Sequence, residues 1–436
     1  MQKTLKGYMM KKLTGLLLSG TTLISAMEVD INPFGYLTAN YNQRNDFTLS
    51  ARSGATFGFG SSGFSIGLGA IGAWNIPLNS RDSASVGDIS DAYVKYKKGA
   101  KEEDGYEKAH IEASLGRFNS DYMQLAWIAG NVQGLGVAYS ITNRFDIYGL
   151  YANSYLNTGY KRGQIGAIYG SALGTLVPYS PDSKNSSVGG EVVMGGVRFS
   201  NQKILFDIFG LLNTKFPSGS NLGSVAVFDS NNNVTYTGAS LLWQAGAVAS
   251  FEFGTQNVKF QTNLKGLAQY GNTDQRDVPD ALGQDFSVLA WVDEKISLYE
   301  DYHIGVGAHY VVGREGTGGI WSISDSTHYY GNTLGRMGNS ALLAPYFYNN
   351  LLSAYVYGDI DIKNFKLQAM ASFIDYQELS LMLQYNAWQQ DNMKLELGGG
   401  FIYHKYKSYG FYNTTASRDY TWRRGSSFNV FVRFTY

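Results

Sequence analysis

Apolar and polar residues alternate along most of the chain after its first 30 positions. In the segment 258–270, apolar or small residues occupy every second position, and mostly polar residues lie between them; the segment 302–310 alternates in the same way. Successive side chains of a β-strand point to opposite faces, so this pattern predicts strands with one apolar and one polar face. The apolar row of the first segment is Val258, Phe260, Thr262, Leu264, Gly266, Ala268 and Tyr270.

The same reading predicts eighteen strands, whose connections are of two kinds. Tight turns such as 201–202 and 363–364 alternate along the chain with long polar stretches such as 155–187 and 314–349. Tight turns on one rim and long loops on the other are typical of outer-membrane barrels. We therefore predict an all-β fold, a transmembrane antiparallel β-barrel of eighteen strands, with sixteen as the alternative. The predicted strands are 34–41, 47–59, 63–74, 88–97, 107–117, 133–140, 145–154, 188–200, 203–212, 237–253, 257–270, 284–298, 301–313, 350–362, 365–373, 377–388, 393–405 and 421–436.

Composition and charge narrow the function classes. The 436 residues include no cysteine, which excludes disulfides and cysteine-ligated metals. Charged residues make up 16%, against about 25% in soluble domains. The 35 basic and 35 acidic residues balance, so no overall field favours nucleic acid as a partner. A content of 52 glycines and 33 tyrosines is typical of a barrel rather than of a soluble enzyme.

The beginning of the chain predicts export. Lys11 and Lys12 precede a mainly apolar stretch, 13–24, and the small residues Ser25 and Ala26 follow it. This order is typical of a secretory signal peptide, which we place at 1–26, with 1–8 as an alternative upstream start. No later run approaches the roughly 20 apolar residues of a membrane-spanning helix. Residues 27–436 are then expected to form one barrel domain in the bacterial outer membrane, in contact with its lipid.

The final strand carries a second localisation signal. Apolar and aromatic residues occupy alternate positions up to an aromatic carboxy terminus. This arrangement looks like the signal by which barrel-assembly machinery recognises its clients, so we expect that machinery as a partner. The residues of the signal are Phe428, Val430, Val432, Phe434 and Tyr436.

Several motifs resemble catalytic or cofactor sites without the required context. Two G-x-G-x-x-G matches, starting at Gly58 and Gly67, continue as strand, whereas a dinucleotide site needs a following helix. A G-x-S-x-G match places Ser65 inside a strand rather than at a sharp strand-to-helix turn. His303 and His309 lack an accompanying carboxylate pattern for metal binding. We therefore predict no enzyme activity, no cofactor and no metal site.

Strand parity assigns charged residues of both signs to the inner wall. Eighteen strands enclose a lumen too wide for side chains to fill, and fixed charges at its narrowest part select ions. The third external loop, 118–132, is more apolar than a solvated loop, so we predict that it folds into the barrel; docking on neighbouring loops is the alternative. Arg117 has outward parity, so it is expected either near the rim or following the loop inward. The pore-lining or constriction candidates are Asp91, Lys95, Glu112, Arg117, Asp121, Arg198, Lys259, Lys265, Asp359, Lys394, Glu396 and Arg433.

Three segments carry a family resemblance. SDAYVKYK at 90–97, SLGRFNSDYMQLAW at 114–127 and NVQGLGVAYSITNRFDIYGLYANSY from 131 resemble the Helicobacter Hof outer-membrane protein family. The chain is more distantly similar to OprD-like porins and the Campylobacter major outer-membrane porin. The resemblance implies an eighteen-stranded, often trimeric porin, in which Gly116-Arg117 precedes the infolded loop.

Together these patterns predict an outer-membrane porin for passive diffusion of ions and small hydrophilic solutes. The alternative is a surface adhesin that uses the barrel as an anchor for its long loops. An adhesin would usually have an additional binding domain, and the strands and loops occupy the whole predicted mature chain.

Overall fold

The structure is a computed structural model, and its description covers most of the chain after the predicted signal peptide. The signal segment 1–26 lies outside the described residues. Within the described part, no helix is both long and apolar enough to cross a bilayer. The described residues are 29–42, 46–77, 84–101, 107–125, 128, 131–142, 144–156, 191–214, 225–228, 234–237, 239–273, 285–313, 319–321, 343–408 and 421–436.

Eighteen strands form one closed antiparallel sheet, which confirms the predicted barrel. Strand β1 pairs with β2 on one side and with β22 on the other, where Leu37 faces Phe434, so the sheet has no free edge. The barrel strands are β1 (Val29–Asn42), β2 (Asp46–Phe59), β3 (Phe64–Pro77), β4 (Ala84–Lys101), β5 (Glu107–Asn119), β6 (Asn131–Thr142), β7 (Phe145–Leu156), β8 (Val192–Ser200), β9 (Ile204–Asn213), β12 (Ala239–Gly254), β13 (Val258–Thr273), β14 (Asp285–Leu298), β15 (Tyr302–Gly313), β18 (Leu352–Ile362), β19 (Phe365–Ile374), β20 (Tyr376–Gln390), β21 (Met393–Ser408) and β22 (Thr421–Thr435).

Many strands extend beyond their predicted bounds. Strand β4 continues to Lys101, so the first four residues of the predicted connection 98–106 belong to the strand. Strand β1 begins at Val29 rather than at residue 34. Beyond the lipid both faces of a strand contact water, and the apolar alternation that marks it in the sequence disappears although the backbone ladder continues.

The outward positions carry apolar side chains that remain exposed. Leu115, Ile208 and Val306 are 62%, 61% and 51% exposed, as expected for side chains that meet lipid. Glu294 is an exception on this face, and its carboxylate accepts a hydrogen bond from Thr262 Oγ1 at 2.6 Å. An apolar outer surface on a closed barrel makes this a transmembrane domain.

On the inner face, aromatic rings lie over glycines of neighbouring strands. A Cβ atom at Gly307 would collide with the ring of Tyr355, and one at Gly67 would collide with Tyr93. Glycine is therefore required at these positions because a ring occupies the space of its side chain. The packing of tyrosine rings over glycines of neighbouring strands contributes to the high content of both residue types.

Two short hairpins lie within the long connections. Strands β10 (Val225–Phe228) and β11 (Val234–Thr237) form one, and β16 (Gly319–Trp321) and β17 (Leu343–Tyr348) form the other. Strand β16 packs against β14 and β15, β17 contacts β21, and Ile320 is fully buried. The connection 314–349, predicted only as a polar loop, therefore contains a packed hairpin.

Candidate pore and constriction

Local signals at the end of β5 turn the third external loop back toward the barrel. The side-chain oxygen of Asn119 accepts a hydrogen bond from the backbone N–H of Asp121 at 2.8 Å, which caps the 3-10 turn Ser120–Met123. Gln124 then adopts a left-handed conformation with φ of 50° and ends the turn. The candidate Asp121 is exposed on this turn.

The loop packs against the inner face of β6. Phe118 and Met123 are 1% and 2% exposed. The absence of a side chain at Gly136 makes room for them, since a Cβ there would lie 2.8 Å from Met123 Sδ and 2.9 Å from Phe118 Cζ. Burial raises the pKa of Tyr122 to about 12, so its hydroxyl stays protonated and donates to the Gly136 carbonyl at 2.9 Å. The described first part of the loop, 118–125, therefore lies inside the barrel wall, as predicted.

Arg198 on β8 holds the loop in this position. Its guanidinium donates to the carbonyl of Met123 at 3.2 Å and to the carbonyl of Gln124. Asp207 on β9 forms an ion pair with Arg198 at 2.9 Å and accepts a hydrogen bond from the Tyr148 hydroxyl at 2.6 Å. Arg198 is only 4% exposed. The structure thus places this candidate beneath the loop, where it acts as a clamp.

Two further candidates, Lys95 and Glu112, lie beside the loop. The Lys95 ammonium is 4.5 Å from the centre of the Tyr122 ring and forms an ion pair with Glu112. Lys97 lies 3.9 Å from the other oxygen of Glu112. This part of the wall therefore carries two cations for one carboxylate.

The candidate Asp91 on β4 is paired with a cation that the sequence analysis missed. Arg52 on β2 binds Asp91 at 2.7 Å, and Asn131 Nδ2 donates to Asp91 at 3.2 Å and to the Ser90 carbonyl at 2.8 Å. Arg52 lies on the same face as Ser50, which is 3% exposed. Assigning the even-numbered residues of 47–59 to the inner face would have identified Arg52 as a further pore-lining candidate.

Arg117 links three strands near the long-loop rim. Its guanidinium forms an ion pair with Asp88 at 3.2 Å and donates to the Ile89 carbonyl at 2.5 Å and to Gln133 Oε1 at 3.0 Å. These contacts connect β5 to β4 and β6. The structure thus places Arg117 in a strand-linking role beside the loop, consistent with its outward parity.

The wall formed by β13, β14 and β18 carries a cluster around Lys265. The Lys265 ammonium is 4.2 Å from the centre of the Trp291 ring, and Trp291 Nε1 donates to the Tyr355 hydroxyl at 2.8 Å. Tyr355 and Tyr357 in turn donate to Asp293 at 2.7 and 3.2 Å. Among the described residues, no carboxylate lies within 4.0 Å of Lys265. Asp293, held by the two tyrosines, is the carboxylate that interacts with Lys265 electrostatically from beyond that distance.

The candidates on β21 and β22 form a compact cluster. Glu396 is 1% exposed and accepts from Arg433 Nε at 2.8 Å, while the Lys394 ammonium lies 2.8 Å from its other oxygen. Here again two cations surround one carboxylate.

The last two candidates lie nearer the tight-turn rim. Lys259 is 4.0 Å from Glu252 and 3.7 Å from Glu300. Asp359 is 3.8 Å from His303 Nε2. Within the described part of the chain, no group of three or more His, Cys, Asp or Glu residues could hold a metal ion.

Solved structures of outer-membrane porins share this architecture. Pseudomonas aeruginosa OpdK matches with a TM-score of 0.59 at 11% identity, over 93% of this chain and 99% of that chain. OccD3 (OpdP) of the same organism matches with 0.55 at 12% identity, over 94% and 90%. Acinetobacter baumannii OccAB3 matches with 0.55 at 9% identity, over 93% and 99%.

The fold is similar to that of OprD and Occ porins. No protein-family model matches the chain, and no curated protein matches it. Together with the apolar outer face, the closed barrel with an even number of strands makes this an outer-membrane protein.

Proposed function

We propose that this barrel is a porin through which ions and small hydrophilic solutes diffuse passively. The observation that carries the proposal is the inward loop fixed by Arg198 within an eighteen-stranded barrel. A barrel of this size encloses more space than its wall side chains fill, and a loop held inside it limits what passes. The porin neighbours support the same role.

The charges near the loop favour weak rather than strong ion selectivity. Lys95 and Glu112 lie on one side of the loop contact, and Arg52 pairs with Asp91 nearby. Opposite charges held close together cancel at a distance, so a solute meets a wall of mixed sign. We propose that Lys265, which interacts with Asp293 only from beyond ion-pair distance, contributes a local preference for anions.

Planar-bilayer recording of the purified protein tests the porin role. A porin produces stepwise increases in current as single molecules insert, with a constant conductance for each step. A bilayer that stays closed under applied voltage, after insertion has been verified by protease protection, would contradict the porin proposal and favour the adhesin alternative.

We also propose two assembly properties. Phe428, Val430 and Val432 are 41%, 50% and 44% exposed on the outer face of β22, which supports recognition of this strand by barrel-assembly machinery. A homotrimer and membership of the Hof family rest on the sequence resemblance at 90–97, at 114–127 and from 131 onward. Cross-linking in native membranes tests the trimer, and replacement of Phe434 and Tyr436 by serine tests assembly.

A further inference from the structure

The outer face of the last hairpin carries a group of basic residues at its long-loop end. Lys405 on β21 lies opposite Arg424 on β22, and Lys407 lies opposite Trp422. These positions share parity with Tyr403, which is 39% exposed, so they point out of the barrel. We refer to Lys405, Lys407, Trp422 and Arg424 as the basic patch.

The basic patch has an excess of positive charge. The Trp422 ring centre lies 4.6 Å from the Lys405 ammonium and 5.8 Å from that of Lys407, which places both cations beside one aromatic face. Lys407 also forms an ion pair with Asp375 in the turn between β19 and β20. Among the described residues, neither Lys405 nor Arg424 has a carboxylate within 4.0 Å. In the described part of this hairpin, the ion pair with Asp375 is thus the one that involves the basic patch within 4.0 Å.

The basic patch borders the apolar and aromatic part of the outer face. Immediately toward the middle of the barrel, Phe401, Phe428 and Val430 are 43%, 41% and 50% exposed on the same face. Aromatic residues mark the interface of a membrane barrel, and cations just beyond them meet the headgroups. Trp422, itself 44% exposed, lies at this boundary.

Four strands on another part of the barrel lack this arrangement at the same rim. The outward residues at the long-loop ends of β12, β13, β14 and β15 are apolar or aromatic. The apolar or aromatic residues compared are Trp243, Tyr270, Phe286 and Val312. Relative to these four strands, positive charge on the outer face is concentrated on the last hairpin.

We propose that the basic patch binds the phosphate group of an anionic glycolipid in the outer leaflet. Arg424 offers a planar fork of donors that suits phosphate oxygens, and Lys405 and Lys407 add two ammonium donors. The acyl chains would lie along Tyr403, Phe401 and the neighbouring apolar wall. The proposal depends on the outer-membrane location and is independent of solute passage through the lumen.

Native mass spectrometry of the detergent-solubilised full chain tests this proposal. The protein is titrated with bisphosphorylated lipid A, with the same lipid after phosphatase treatment, and with inorganic phosphate as a competitor. We expect tight binding of the phosphorylated lipid alone. Replacing the three cations with glutamine should weaken that binding by at least about tenfold. The triple variant is Lys405→Gln, Lys407→Gln and Arg424→Gln.

A matched control removes three exposed cations near the opposite rim. The control variant is Lys98→Gln, Lys203→Gln and Lys363→Gln, and its lipid affinity should stay within about twofold of the parent. Heat-modifiability on gels shows whether the triple variant folds. If it does not, the double variant Lys405→Gln and Arg424→Gln replaces it in the binding assay, because this variant keeps the Lys407–Asp375 ion pair.

Equal affinity for the dephosphorylated lipid, an unchanged affinity in a folded variant, or an equal loss in the control would each overturn the proposal. Displacement of the lipid by millimolar inorganic phosphate would instead indicate a site for the free ion and would also overturn it. Single-channel conductance should be the same in the parent and the triple variant. A failure of the lipid-binding proposal is therefore distinguishable from a failure of the porin role.

Discussion

Removal of the Arg198 clamp should release the infolded loop. In Arg198→Met the loop carbonyls of Met123 and Gln124 lose their charged donor. A hydrogen bond to a charged group contributes about 1.5–3 kcal/mol, so two such bonds contribute at least about 3 kcal/mol to the inward position. At about 1.4 kcal/mol per factor of ten, the ratio of released to inward loop should rise roughly 100-fold.

Single-channel recording detects this release as time spent in a state of higher conductance. The parent should show a steady open level, because the packing of Phe118 and Met123 supports the clamp. Arg198→Met should show frequent transitions to a larger conductance. The same change leaves Asp207, 2% exposed, without its cation, and breaking a buried pair costs about 3–5 kcal/mol.

Two control variants separate the clamp from general loss of stability. Arg198→Met combined with Asp207→Asn removes the stranded carboxylate and should still release the loop. Arg433→Met removes an inner-wall cation paired with Glu396, away from the loop, and should not increase the transitions. A steady single level in folded Arg198→Met, or equal transitions in Arg433→Met, would refute the clamp.

Other changes test the lumen and the wall. Deletion of 119–131 should raise single-channel conductance, and an unchanged value would reject the assignment of this loop as the constriction. Lys265→Gln should shift the reversal potential in a salt gradient toward cation preference, whereas an unshifted potential would exclude Lys265 from the permeation path. Gly307→Val should destabilise the barrel by about 1–3 kcal/mol, seen as a lower temperature of heat-modification, because the new side chain collides with Tyr355. Gly210→Val, where a Cβ meets nothing within 4 Å, is the matched control and should leave that temperature unchanged.

The number and order of strands could be predicted because lipid imposes a strict alternation on each strand. The segment 258–270 alternates as predicted in β13, and His303 and His309 share the inner face of β15 as their parity indicated. The turns at 201–202 and 363–364 also lie where they were predicted. Each of these features depends on short-range patterns, which the sequence displays directly.

The parity of β14 was obscured by apolar residues on its inner face. Leu289 and Trp291 are 1% and 4% exposed there, and the hairpin strand β16 packs against the same strand. The inner positions Leu150, Met194 and Leu211 are likewise buried on β7, β8 and β9, next to the strands that the third loop contacts. Where a loop folds into the lumen, the inner wall becomes apolar, so strands that are apolar on both faces indicate the position of infolded segments.

Contacts between distant segments could not be predicted from local patterns. Arg198 binds carbonyls 74 and 75 residues earlier in the chain, and nothing in the sequence near Arg198 indicates a partner at that distance. The sequence placed Arg198 and Lys265 on the same wall with the same charge. Only the fold shows that one binds a loop and a carboxylate, while the other contacts an aromatic ring.

This difference has an electrostatic reason. A cation buried away from water is stable only when carboxylates and carbonyls replace its hydration, and Arg52, Arg198 and Arg433 each have such a partner. Their fields are largely cancelled within a few ångströms, so they stabilise the wall more than they attract solutes. Selectivity should therefore depend on charges near the lumen that lack a carboxylate within ion-pair distance. Lys265 is one such cation in the described wall, with Asp293 acting on it only from beyond 4.0 Å. For the same reason, removing a paired arginine should affect stability and loop position before ion preference, and removing Lys265 should do the reverse.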